Sequence, residues 1–160
     1  MIKRLTEDQH NALMRSKRSL QQAFDYAVEA QRILRNYFAD PRARDLLAVS
    51  FVSNEKGLGA EVLTPFGRGR AVAVNALADD GAQIRYIFEK FVSVGGGASE
   101  YVKLAEIRIH ASGLVTSEDG TKLAELNSLY DSENSHAVIA VGLSVIFAFG
   151  ASTQYSVVTE

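Results

Sequence analysis

The side chains able to do chemistry are few and scattered. Glu89 and Glu106 are the two carboxylates placed near cations, Arg85 and Arg108, on what read as neighbouring strands. General acid–base work needs paired carboxylates in a pocket with separated pKa values. At this spacing, opposite charges more simply form an ion-pair ladder across a hairpin. Tyr86, Arg108 and His110 are the candidate polar groups of a small-molecule pocket. Phe66-Gly67-Arg68-Gly69-Arg70 sets two arginines about a glycine, a fork suited to a carboxylate or phosphate. It lacks the Gly-Lys-Ser/Thr entry into a helix that a phosphate-cradling loop requires, and runs instead into the strand-like Ala71-Val72-Ala73-Val74.

His10, His110 and His136 show no metal-ligand spacing, and the chain has no cysteine, which excludes disulfides, thiolate metal sites and a cysteine nucleophile. No Gly-x-Ser-x-Gly elbow occurs. The sequence therefore offers no catalytic constellation, and no cofactor or metal is expected.

The elements that position these groups divide at glycine and proline. Residues 1–40 contain neither, and Thr6 with Gln9 forms a capping box. From Glu7 to Phe38 only Val28 and Ile33 are β-branched, so one 32-residue helix is expected, stopped by Asp40-Pro41. With His10 as position a of a heptad, Leu13, Leu20, Ala27 and Leu34 fall at d, while a reads His10, Lys17, Phe24, Gln31 and Phe38. The apolar stripe is thin in the first half, interrupted by Arg15, Lys17 and Arg18, and broad in the second. Such a helix is about 48 Å long, against a diameter of about 40 Å for a domain of this size. Its first turns should overhang the domain and meet a partner.

Strands are expected at 46–53, Glu61–Thr64, 70–78, 82–94 and 101–110, with Asp79-Asp80-Gly81 and Gly95–Ser99 as turns and Phe66–Arg70 as a loop. Ala82, Ile84, Tyr86 and Phe88 should share one face. The apolar phase of 101–110 switches between Leu104 and Ala105, the mark of a β-bulge. A further hairpin is expected at Gly113–Thr116 with Ser117–Gly120, then a short helix over Lys122–Tyr130 from the spacing of Leu123, Leu126 and Tyr130. The fifteen residues Ala137–Ala151 are apolar but short of the ~20 a membrane span needs, and read as a buried helix.

The 160 residues, 47% hydrophobic and 22% charged with net charge −2, fit one α+β domain. Its parts are a long N-terminal helix (1–40, partly overhanging), an antiparallel meander of four to six strands (45–116) and a helical, apolar C-terminal element (121–151). Residues 1–45 carry net +3 and the remainder net −5, a split read mainly as solvated faces. Acids follow Lys3 and Arg4 where a signal peptide would be apolar, so a cytoplasmic chain is expected.

Three functions compete. A non-enzymatic protein that binds another protein, including itself, would use Leu13, Arg15, Lys17, Arg18, Leu20, Phe66, Arg68 and Arg70, in an inhibitor, immunity or adaptor role. A pocket domain would use Tyr86, Arg108 and His110. Nucleic-acid binding through Arg15, Arg18, Arg68 and Arg70 ranks below both, since no second helix sets the first into a groove. A membrane-surface role ranks lower still, because few bulky apolar residues oppose the basic ones.

Overall fold

A computed structural model describes residues 2–53, 57–127 and 131–152. Helix α1 spans Glu7–Ala39 without interruption. Its capping box is present, with Thr6 Oγ1 accepting from Gln9 N at 3.2 Å and Gln9 Oε1 accepting from Thr6 N at 3.0 Å. Asp40 leaves the helical region and caps a second helix, α2 (Pro41–Leu47), by accepting from Arg42 N at 2.9 Å. The strand expected over 46–53 therefore begins later, as β1 (Ser50–Ser53), after Ala48 turns the chain at φ 52°.

The remaining strands are β2 (Ala60–Thr64), β3 (Gly67–Ala78), β4 (Gly81–Gly95), β5 (Ala98–His110), β6 (Leu114–Ser117) and β7 (Lys122–Glu125). Among the described residues they form one antiparallel sheet in the order β1 to β7, seven strands rather than four to six. The bulge lies where the apolar phase switches: Phe88 pairs with Ala105 but Glu89 with Lys103, leaving Leu104 extra.

Two expected elements change type. Phe66–Arg70 is not a loop, because Pro65-Phe66 makes a two-residue turn, with Thr64 Oγ1 accepting from Phe66 N, and β3 already runs from Gly67. The short helix expected over Lys122–Tyr130 is a strand over Lys122–Glu125; residues 128–130 lie outside the described ones. The turn at Ser117–Gly120, with Gly120 at φ 89°, folds that segment back so that Ala124 meets Val115. Nine residues of helical spacing do not outweigh such pairing.

The C-terminal element is a helix, α3 (Asp131–Ala151), six residues longer at its start than the apolar run. It is the one described helix long and apolar enough to cross a membrane, over Ser132–Ala151. Here its Val138, Val141, Val145 and Phe149 enter the core.

Helices α1 and α3 lie on one sheet face with Ala82, Ile84, Tyr86, Phe88 and Val92 of β4 beneath them. Close approach depends on two glycines. A Cβ at Gly142 would stand 2.5 Å from Leu34 Cδ2, and one at Gly69 would stand 2.6 Å from the Phe149 ring. The first half of α1 does not hang free. The β3–β4 hairpin, with strands of 12 and 15 residues, is also long, and α1 lies along it to the tip: Ala12 is buried, and Ser19 Oγ lies 3.9 Å from where a Cβ of Gly81 would be. The expected overhang is thus covered on one side by its own chain. Leu13, Met14, Phe24 and Val28 remain exposed on the other sides.

Candidate functional site

The sequence-derived pocket residues fall on opposite sides of the sheet. Tyr86 points under α1, fully covered, and its hydroxyl donates to Leu58 O at 2.8 Å; burial holds its pKa above the ordinary tyrosine value. Arg108 pairs in register with Arg85, and His110 with Gln83, so both lie on the bare face. His110 Nε2 is 3.0 Å from Thr116 Oγ1, and the Asp80 carboxylate stands 3.9 Å from its Nδ1. Tyr86 cannot share a pocket with either residue, because neighbours along a strand alternate between faces.

On that bare face the charges occupy one another. Glu106 has a fully covered side chain that accepts from Arg85 at 2.6 Å, Arg108 at 3.0 Å and Lys103 at 3.2 Å. The Arg85 hydrogen bond, opposed by burial and reinforced by Arg108 and Lys103, lowers its pKa to about 2. A carboxylate held this firmly ionised is no proton donor at neutral pH. Glu89 accepts from Arg70 at 2.6 Å. Arg70 also lies over Tyr101, 3.8 Å from its centroid, and Arg68 lies over Phe91 at 4.4 Å. The arginines of the expected anion fork are thus committed to aromatic rings and a carboxylate. Phe66 is set apart from them against Gly150 of α3. Among the described residues, no three His, Asp or Glu side chains gather as metal ligands do.

The N-terminal candidates divide by helix face. Arg15 shares a cleft with Asp79, Asp80 and Gly81 at the hairpin tip, and Arg18 faces outward. Leu13 opens beside Leu5, Leu77 and Ala78 in a cleft of about 240 Å³. Lys17 and Leu20 flank the next one, of about 250 Å³, with Asn75, Ala76 and Leu77. These two clefts share Leu77 and together make a groove between α1 and β3.

The groove borders a feature that belongs to no single motif. β4 pairs with β3 along its length, but on the other side β2 reaches only from Gly67 to Ala71. Among the described residues, Val72–Ala78 is consequently an unpaired edge. In a two-residue hairpin the residues flanking the turn bond to each other, and bonding then alternates along the strand. Ala78 and Gly81 flank one turn, Thr64 and Gly67 the other. Both assign the same parity: Ala73, Asn75 and Leu77 direct their N–H and C=O groups away from β4.

β5 has a comparable open edge, since β6 pairs only with Ile107–Ile109. That edge carries Glu100, Lys103 and Glu106 and the Leu104 bulge, features that prevent strand addition. The β3 edge reads Val-Ala-Val-Asn-Ala-Leu-Ala, with no charge, proline or bulge. Its trace in the sequence is the mismatch between the short strand expected over Glu61–Thr64 and the longer one over 70–78. No protein-family model, curated protein or solved structure matches the chain.

Proposed function

We propose that this chain is a non-enzymatic protein-binding and self-associating protein whose working surface is the open β3 edge together with the α1 groove beside it. The observation that carries the reading is the unguarded edge itself: seven uncharged residues with three outward-facing peptide groups, next to the exposed Leu13 and half-exposed Leu20. A long, flat, apolar edge is a template for another strand, and main-chain hydrogen bonds supply the affinity in such additions. The groove gives alternate side chains of an incoming strand an apolar wall. The basic residues Arg15 and Arg18 then frame the surface without forming its contact, and the catalytic and pocket readings have no assembled set of groups to support them.

Sedimentation velocity over a range of concentrations tests this. The wild type is expected to associate and Asn75→Pro to stay monomeric with an unchanged circular dichroism spectrum, because proline removes a donor facing solvent and none facing β4. Phe147→Glu, on the exposed face of α3, should associate as the wild type does. Dispersal by Phe147→Glu with association retained by Asn75→Pro would move the working surface to α3 and overturn the proposal.

A further inference from the structure

The β3 edge is self-complementary about its middle residue. Antiparallel pairing of Val72–Ala78 with the same segment of a second copy, centred on Asn75, sets Ala73 opposite Leu77 and Val74 opposite Ala76. Small residues then meet larger ones on both sheet faces. Asn75, Ala73 and Leu77 are the residues whose backbone groups face outward, so the register joins all three on each chain and makes about six main-chain hydrogen bonds. It also sets Asn75 against Asn75, where two amides can each donate and accept. No other residue on the edge offers a polar side chain, and this one stands at the two-fold axis.

From this register we infer that the occupant of the β3 edge is a second copy of this chain, related by a two-fold axis through Asn75, which extends the sheet as β4-β3-β3-β4. The inference rests on the protein-binding reading above and specifies its partner. The same rotation sets the two α1 helices antiparallel on one face of the joined sheet. Strands lie about 4.8 Å apart, so helices seated over β4 are about three spacings, or about 14 Å, from each other. Directly packed helices stand 8–10 Å apart. The gap is lined from both sides by residues left exposed in the single chain, Leu13 and Leu77. Lys17 and Leu20 lie beside Asn75 near the axis. A symmetric contact of this kind closes on itself and stops at a dimer.

The absence of cysteine makes the register directly testable. Val74 and Ala76 would form a closely spaced cross-strand pair, about 4.5 Å between Cα atoms, within disulfide reach. Val74→Cys/Ala76→Cys is expected to give a disulfide-linked dimer as its main product under mild oxidation. Either single variant should give only traces, since like positions sit on a diagonal of about 7–8 Å. A wild type that dimerises in sedimentation while the double variant fails to cross-link would overturn this register and leave the protein-binding reading standing. A wild type that stays monomeric at every concentration would overturn the second copy as occupant. Strand addition would then be read separately, by titrating the wild type and Asn75→Pro with a synthetic peptide of residues 70–78: selective binding to the wild type retains the reading, and none by either overturns it too.

Discussion

Lys90 Nζ donates to the carbonyl oxygen of Phe149 over 2.9 Å, which brings a cation from β4 to the last turn of α3. That turn has no basic residue of its own, and its unsatisfied carbonyls favour positive charge. Lys90→Met should cost about 0.5–1.5 kcal/mol of unfolding free energy, the scale of the hydrogen bond it removes. Burial also lowers the Lys90 pKa below its ordinary value. The folded state then binds this proton less tightly than the unfolded one, so stability should rise as pH climbs through the folded pKa toward about 10.4. Urea unfolding from pH 7 to 10 should show the rise in the wild type and its loss in Lys90→Met.

Glu106 gives the opposite dependence at low pH. Its pKa of about 2 lies below the unfolded value of about 4.3. Its contribution is complete above the unfolded pKa and is lost as pH falls through the folded one, between about pH 5 and pH 2. Glu106→Gln should destabilise by about 1–3 kcal/mol at pH 7 and flatten the acid limb of the stability curve. Equal pH slopes in the two proteins would contradict the assignment.

The contact between Gly142 and Leu34 sets how closely α3 and α1 approach. Gly142→Val should cost about 1–3 kcal/mol or more through overpacking. The double variant with Leu34→Ala should lose less than the two single losses added, because the deletion vacates the space the new side chain needs. Full additivity in thermal or urea unfolding would show that the two positions do not share that space.

Arg68→Ala/Arg70→Ala removes two cation–aromatic contacts and one ion pair from the bare face, distant in role from the β3 edge. Stability should fall by about 1–2 kcal/mol, with the sedimentation profile unchanged. A shift to monomer would place the association surface on the bare face.

Much of this architecture was legible in the sequence because local signals agreed with one another. Thr6 and Gln9, the breaker-free run and Asp40-Pro41 defined α1 to within a residue of Ala39. The change of apolar phase at Leu104 located the bulge. The failures have a common origin in register. Lys122–Glu125 became a strand only because Val115 and Thr116 were there to pair with it. Tyr86 does not join Arg108 and His110, because pairing with Ile107 sets it on the other face. The open β3 edge is likewise a property of unequal strand lengths, which no single segment displays.

Residue-resolved amide exchange at Ala73, Asn75 and Leu77 reads the proposed surface most directly, since a bound strand must protect those protons. Fast exchange is expected for all three in dilute solution and slowing as protein concentration rises, with Tyr101, whose amide faces out of the guarded β5 edge, unaffected by concentration. Exchange at the three sites that is independent of concentration and of the added 70–78 peptide would contradict it.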